Sequence, residues 1–176
     1  YHLDFPVGSL SSYPLWKLAE KTKGKNIKVV ISGEGADEIF GGYVRYMPIY
    51  TTWKLKQNFK SYVPLFDKFY SSYLMGFANI TARNDDIDYI KKKMRPFFEM
   101  FDDPINAMGF FDFKFVMPSL LQMGDRMSSA FGLENRCPFL DKEIIEFGFN
   151  LPPQVKINNF NQKNILKKIL KKRGLP

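Results

Sequence analysis

Apolar residues recur at three- and four-residue intervals over most of the chain, in short blocks separated by Pro, Gly and polar clusters. Leu15, Leu18 and Ala19 predict a helix over Leu15 to Thr22, with Pro14 where a first turn tolerates it. Ile27-Lys28-Val29-Val30-Ile31 then forms a brief β-branched run, read as a buried strand feeding the glycine loop Ser32 to Glu38. Thr52 to Tyr62 is amphipathic up to Pro64. From Phe66 to Phe115 helical pieces follow, cut by Gly76, by the cluster Asp85, Asp86 and Asp88, by Pro96 and by Asp102-Asp103-Pro104. Asp103-Pro104 predicts the start of a helix through Phe115, with Met108, Phe111 and Phe115 as core positions.

Further helices are predicted over Pro118 to Ala130, Lys142 to Phe149 and Asn161 to Lys172, with Gly174 as the final stop. Phe131 to Asp141 reads as irregular. A single convincing strand cannot make a sheet, so the chain is either a mostly helical domain with a small sheet or lacks the partner strands. Such a strand suits the middle of a parallel sheet covered on both faces, and an open edge beside Ile27 to Ile31 would be adhesive. The fold class expected is α/β, predominantly helical. No repeat and no low-complexity linker interrupts it.

Composition narrows the chemistry. With 176 residues, 45% of them hydrophobic and 16% aromatic, the chain can bury a core and is not a disordered segment. One cysteine, Cys137, excludes an internal disulfide framework and a multi-thiolate metal site, and suits a small buried residue. One histidine, His2, argues against a His-based catalytic triad. The formal net charge of +8 suits a nucleic acid, an acidic membrane surface or a small anionic substrate. No stretch reaches the ~18 consecutive apolar residues of a membrane span, and no signal peptide opens the chain, so a soluble cytoplasmic protein without membrane contact is expected. Starting at Tyr1 rather than Met points to a processed product, an excised piece or part of a longer polypeptide.

The most informative segment is Val29 to Glu38. A strand running into Ser32, Gly33 and Gly35 and then a helix turns backbone N–H groups toward an anion. Three carboxylates within five residues beside a phosphate make sense if one of them, Asp37, holds Mg2+, which takes one or two carboxylates with phosphate oxygens and water. The competing reading is that Asp37 and Glu38 complement a helix dipole while Gly41-Gly42 make a turn. In Gly124 to Asp141, the charges Asp125, Arg126, Glu134, Arg136 and Asp141 read as a buried ion-pair network ordering an irregular segment.

SGEGADEIFGGYVRY at Ser32 to Tyr46 and DRMSSAFGLENRCPFLD at Asp125 to Asp141 resemble the synthetase domain of glutamine-hydrolysing asparagine synthetase. A weaker third block, Leu151-Pro152 to Lys156 followed by Gln162 to Lys167, resembles the stretch leading to that family's lysine-bearing helix. The resemblance extends over residues 1–176 as the C-terminal part of such a domain, and implies an adenine nucleotide α-hydrolase-like (ATP-pyrophosphatase) fold with ATP and Mg2+. It implies adenylation of aspartate with loss of pyrophosphate, then displacement of AMP by ammonia derived from glutamine. By position, Asp37 resembles the carboxylate on Mg2+ and pyrophosphate, Glu34 the acidic residue beside the reacting amino acid, and Ser32, Gly33 and Gly35 the backbone lining the nucleotide site. Lys163 resembles the lysine that neutralises charge developing on the phosphates, and Arg136 stands either at the phosphate-side wall or in a structural pair with Glu134 or Asp141.

The departures are a missing Ser-Gly-Gly-x-Asp-Ser pyrophosphate loop and a missing N-terminal glutaminase domain, so the chain alone is expected to be inactive and to need that domain or subunit. Ser129 stands where Met is usual, and Asn135 and Cys137 where Val is frequent. A homodimer is compatible with the resemblance. The alternatives kept open are a related carboxylate-adenylating amide synthetase and a non-catalytic basic interaction module using Lys167 to Arg173; nucleic acid is disfavoured as a partner, since no stacking motif accompanies the basic helix.

Overall fold

Val29–Ile31 (β1) and Glu134–Arg136 (β2) pair in parallel, with Val29 opposite Glu134, Val30 opposite Asn135 and Ile31 opposite Arg136. This computed structural model describes residues 2–4, 10–56 and 84–175. Among them, the helices in chain order are α1 (Ser12–Thr22), α2 (Ala36–Phe40), α3 (Tyr46–Lys56), α4 (Asn84–Met100), α5 (Pro104–Phe115), α6 (Met117–Ser129), α7 (Lys142–Phe149), α8 (Pro153–Lys156) and α9 (Asn164–Lys172). The architecture is mostly helical with a small parallel sheet. The pieces expected between residues 57 and 83, including the breaks at Pro64 and Gly76, lie outside the described residues.

The helix starts follow local chemistry. Asp103 has extended backbone and accepts from the N–H groups of Ile105 and Asn106, at 3.0 and 2.8 Å, while Pro104 fills the first helical position without needing a partner. Asp141 caps α7 in the same way through Glu143 N at 2.9 Å. The expected break at Asp85, Asp86 and Asp88 does not occur. These residues lie within α4, which begins at Asn84 and continues through Pro96.

Three expectations are corrected. Phe131 to Asp141 is not wholly irregular: Glu134-Asn135-Arg136 has no β-branched residue, yet it supplies the second strand because pairing to β1 satisfies its backbone. Among the described residues, β1 is not covered on both faces, since Ile31 is 76% exposed and Val29 37%. The charges of residues 125–141 form no buried network. Arg136 pairs with Glu134 at 2.8 Å and Arg126 with Asp4 at 3.0 Å, both at the surface, and Asp141 is a helix cap.

The core gathers Tyr46, Tyr50, Phe98, Ile105, Met108, Phe111 and Ile157. Met108 and Phe111 are buried as the spacing predicts, whereas Phe115 at the end of α5 is half exposed. Helix α5 is the hub, packing on α2, α3, α4 and α6. It comes very close to α2, since a Cβ at Gly109 would lie 2.3 Å from the Glu38 carbonyl oxygen. Gly148 of α7 is equally tight against Ile39, at 2.0 Å from Cγ2. Only glycine permits these approaches. They hold α2, and with it the loop after β1, against the core.

Candidate functional site

The loop that leaves β1 is fixed at both ends. Ser32 N donates to Arg136 O at 2.9 Å, extending the β1–β2 ladder by one bond. Gly35, in the left-handed region at φ +90°, turns the chain into α2, and Gly41 at φ +69° ends that helix, where Gly42 N donates to Asp37 O at 2.8 Å. Asp37 is therefore held in a five-residue helix bounded by glycines.

Lys163 arrives from the far end of the chain. Asn159 and Phe160, both at positive φ, form a tight turn closed by the Asn158–Asn161 bridge. Lys163 itself has φ +49° at the entrance to α9, and Asn164 Nδ2 donates to Val155 O at 3.2 Å. The Lys163 ammonium ends 2.9 Å from Asp37 Oδ1, with both side chains about one-third exposed. Gly42 makes room for this pair: a Cβ there would fall 1.9 Å from Asp37 Oδ1 and 2.1 Å from Lys163 Cε.

A second polar cluster lies on the same loop. Glu34 Oε2 accepts from Ser32 Oγ at 3.3 Å and from Cys137 Sγ at 3.2 Å. A cavity of ≈ 90 Å³ beside it is lined by Leu18, Ala19, Val30, Ser32, Glu34 and Asn135, among others. Asn135 Oδ1 is buried without a hydrogen-bond partner. Burial pushes the Cys137 thiol above its usual range; the Ser32 hydrogen bond opposes this and the Glu34 carboxylate adds to it.

Behind the loop stands a buried support. Tyr43 donates to Glu38 Oε1 at 2.5 Å, Arg45 and Tyr46 donate to Asp112 Oδ2 at 2.6 and 2.5 Å, and the Arg45 guanidinium lies over the Tyr43 ring at 3.7 Å. Burial pushes Glu38 up, with its Tyr43 hydrogen bond opposing. Glu38 is thus a packing residue turned inward at 2% exposure, while the adjacent Asp37 faces outward to Lys163.

Of the residues singled out from sequence, Asp37 and Lys163 meet, and Ser32 and Glu34 meet on the same loop. Gly33 and Gly35 shape that loop. Arg136 is 62% exposed and paired with Glu134. The pattern gave no sign of the parts played by Gly42, Asn135 and Cys137, apart from the Gly41-Gly42 doublet, which reads as a turn. Among the described residues, no three His, Cys, Asp or Glu side chains gather to hold a metal ion. A single carboxylate still fits Mg2+ when phosphate oxygens and water complete its shell, and the space that Gly42 leaves around Asp37 is consistent with such a use.

A profile of the asparagine synthase family matches residues 1–176. The chain belongs to the asparagine synthase family. It is 29% identical to asparagine synthetase [glutamine-hydrolyzing] 3 of Bacillus subtilis, over 95% of this chain and 27% of that protein. It is 28% identical to the probable asparagine synthetase [glutamine-hydrolyzing] of Schizosaccharomyces pombe, over 96% of this chain and 22% of that protein. Asparagine synthetase [glutamine-hydrolyzing] 1 of Bacillus subtilis is 26% identical, over 96% and 32%. The chain thus spans less than a third of the length of these relatives. No solved structure matches it. Among the described residues, no helix of this asparagine synthase family member is long and apolar enough to cross a membrane.

Proposed function

We propose that residues 1–176 form the C-terminal part of a synthetase domain, of adenine nucleotide α-hydrolase-like fold, that converts aspartate to asparagine with ATP in the cytoplasm. The observation that carries this reading is the Lys163–Asp37 pair at 2.9 Å, within the cradle left by Gly42. A cation and a carboxylate side by side in a half-open site suit a metal-bound polyphosphate. The carboxylate takes the metal, and the ammonium is released to the phosphate oxygens.

In the first step, an oxygen of the aspartate side-chain carboxylate attacks the α-phosphorus of ATP and the bond to the bridging oxygen breaks. β-Aspartyl-adenylate and pyrophosphate result. Asp37 would hold Mg2+, which supplies charge neutralisation to the leaving pyrophosphate, and Lys163 offsets the charge that gathers on it. Backbone from Ser32 to Gly35 lines the nucleotide, and exposed Arg136 lies at the edge of β2, where it reaches a phosphate only by leaving Glu134. In the second step, ammonia attacks the activated carbonyl, AMP departs with the acyl–oxygen electron pair, and the proton shed by nitrogen passes to Glu34. A glutaminase domain or subunit would supply the ammonia. The pyrophosphate loop would come from polypeptide other than residues 1–176, so this chain alone is expected to be inactive.

The test is product analysis. The full-length protein with Mg-ATP, aspartate and an ammonium salt should yield AMP, pyrophosphate and asparagine in equal amounts. Formation of ADP and phosphate, or no turnover with aspartate while another carboxylate is amidated, would overturn the reading.

A further inference from the structure

The two oxygens of Glu34 differ in their surroundings. Oε2 accepts from Ser32 Oγ and Cys137 Sγ, and Ser32 Oγ and Cys137 Sγ lie 3.2 Å from each other, so three side chains from two strand ends close a small ring. Oε1 makes no hydrogen bond among the described residues. It faces Gly124 of α6, where a Cβ would come within 2.9 Å of it and within 3.2 Å of Asn135 Nδ2. On that side lies the cavity beneath α1, which Asn135 also lines, its buried Oδ1 unpartnered among the described residues. Glutamate has three side-chain torsions, so a carboxylate tethered at neither oxygen would sample several rotamers.

We propose that Cys137 is a positioning residue: its thiol donates to Glu34 Oε2 and, together with Ser32, holds the carboxylate in one orientation that leaves Oε1 as the oxygen presented to substrate. This rests on the reading of Glu34 as a residue of the amidation site. The thiol remains protonated at neutral pH because burial and the neighbouring carboxylate raise it, and so it stays a donor. Among the described residues, the charged side chain that hydrogen-bonds to it is Glu34. Arg136, next in sequence, is turned to Glu134 on the exposed face of the sheet. The backbone at Cys137, φ −118°, accepts a β-branched residue, so Cys137→Val removes the donor without straining the chain.

Two measurements on the full-length protein test this. The first is maleimide labelling of Cys137, read on its own peptide by mass spectrometry between pH 7 and 10. Glu34→Gln should shift the labelling profile to lower pH, and Ser32→Ala should shift it to higher pH, in line with the directions in which each neighbour acts on the thiol. Identical profiles in Glu34→Gln and the parent would overturn the contact. The second is the rate of asparagine formation from aspartate, Mg-ATP and an ammonium salt. Cys137→Val should lower its maximal rate about tenfold, the worth of a hydrogen bond to a charged group, with the KM for ATP unchanged, and Cys137→Ser should recover most of the loss. Equal rates in Cys137→Val and the parent, or equal losses in the Val and Ser variants, would overturn the positioning role. Full asparagine formation in Glu34→Gln would instead remove the catalytic reading of Glu34 and leave the labelling result standing.

Discussion

Gly42 and Asp37 are neighbours through space as well as in sequence: a Cβ on residue 42 would stand 1.9 Å from the Asp37 carboxylate oxygen that Lys163 holds. Both atoms it would displace belong to side-chain ends, and Gly42 does not adopt a positive φ. Gly42→Ala should therefore cost less than ~1 kcal/mol in stability, while the carboxylate and ammonium are pushed apart. In the full-length protein the expected result is an unchanged Tm and a large loss of activity. An alanine variant with full activity would mean that the closeness of the pair is unimportant.

The opposite outcome is expected at Gly109, where the obstacle is backbone. A Cβ there would lie 2.3 Å from the Glu38 carbonyl oxygen, and side-chain rotation cannot relieve it. Gly109→Ala should cost about 1–3 kcal/mol by separating α5 from α2, lowering the thermal midpoint by several degrees. Calorimetry of the two alanine variants side by side tells a packing glycine from a site glycine.

Asp112 is fully buried and bears the charges of the support behind the loop, with Arg45 only 11% exposed. Asp112→Ala leaves a buried guanidinium without its carboxylate and should cost about 3–5 kcal/mol. Arg45→Met should cost less in the Asp112→Ala background than in the parent, and urea unfolding of the four proteins measures the difference. Additive losses would show that the two side chains are not coupled.

Lys156 gives the fold a pH dependence. It is 1% exposed, donates to Asn106 Oδ1, and lies over the Phe149 ring at 5.2 Å. Burial drives it down to about 7, against the pull of Asp103, whose own carboxyl burial pushes up. The folded pKa is below the unfolded value of 10.5, so between these limits the unfolded chain binds the extra proton. Stability should rise from pH 7 toward 10.5 and be lowest below 7, where both states are protonated; the change is on the order of a few kcal/mol. The difference between the parent and Lys156→Met, followed by urea unfolding from pH 6 to 10, should grow with pH in the parent's favour. A difference that does not vary with pH would contradict the burial of an uncharged amine.

These elements differ in how plainly the sequence shows them. Helix α5 is legible because Asp103-Pro104 carries a cap's own chemistry, and α7 from the pattern of Lys142 to Phe149, whereas Asp141 reads as part of an ion-pair network although it is the cap. Strand β2 is not legible, since Glu134-Asn135-Arg136 becomes a strand only beside Val29–Ile31, and pairing across a hundred residues leaves no local mark. The charges of residues 125–141 suggested burial, but they sit where water solvates them. The buried ionisable side chains are instead Glu38, Asp112 and Lys156; Glu38 is satisfied by nearby Tyr43, the other two by partners distant in sequence. Periodicity places Lys163 on a basic helix among several lysines. Family resemblance marked it out, and the left-handed turn at its own backbone brings it to Asp37. Cys137 carries no signal beyond its rarity.

The central claim is that Asp37 and Lys163 act together on the pyrophosphate of ATP. Aspartate-dependent exchange of labelled pyrophosphate into ATP measures that step without requiring ammonia. In the full-length protein, Asp37→Asn and Lys163→Met should each abolish exchange while the protein stays folded by circular dichroism, and the double variant should be no worse than either alone. Exchange at the parent's rate in either single variant would contradict the account.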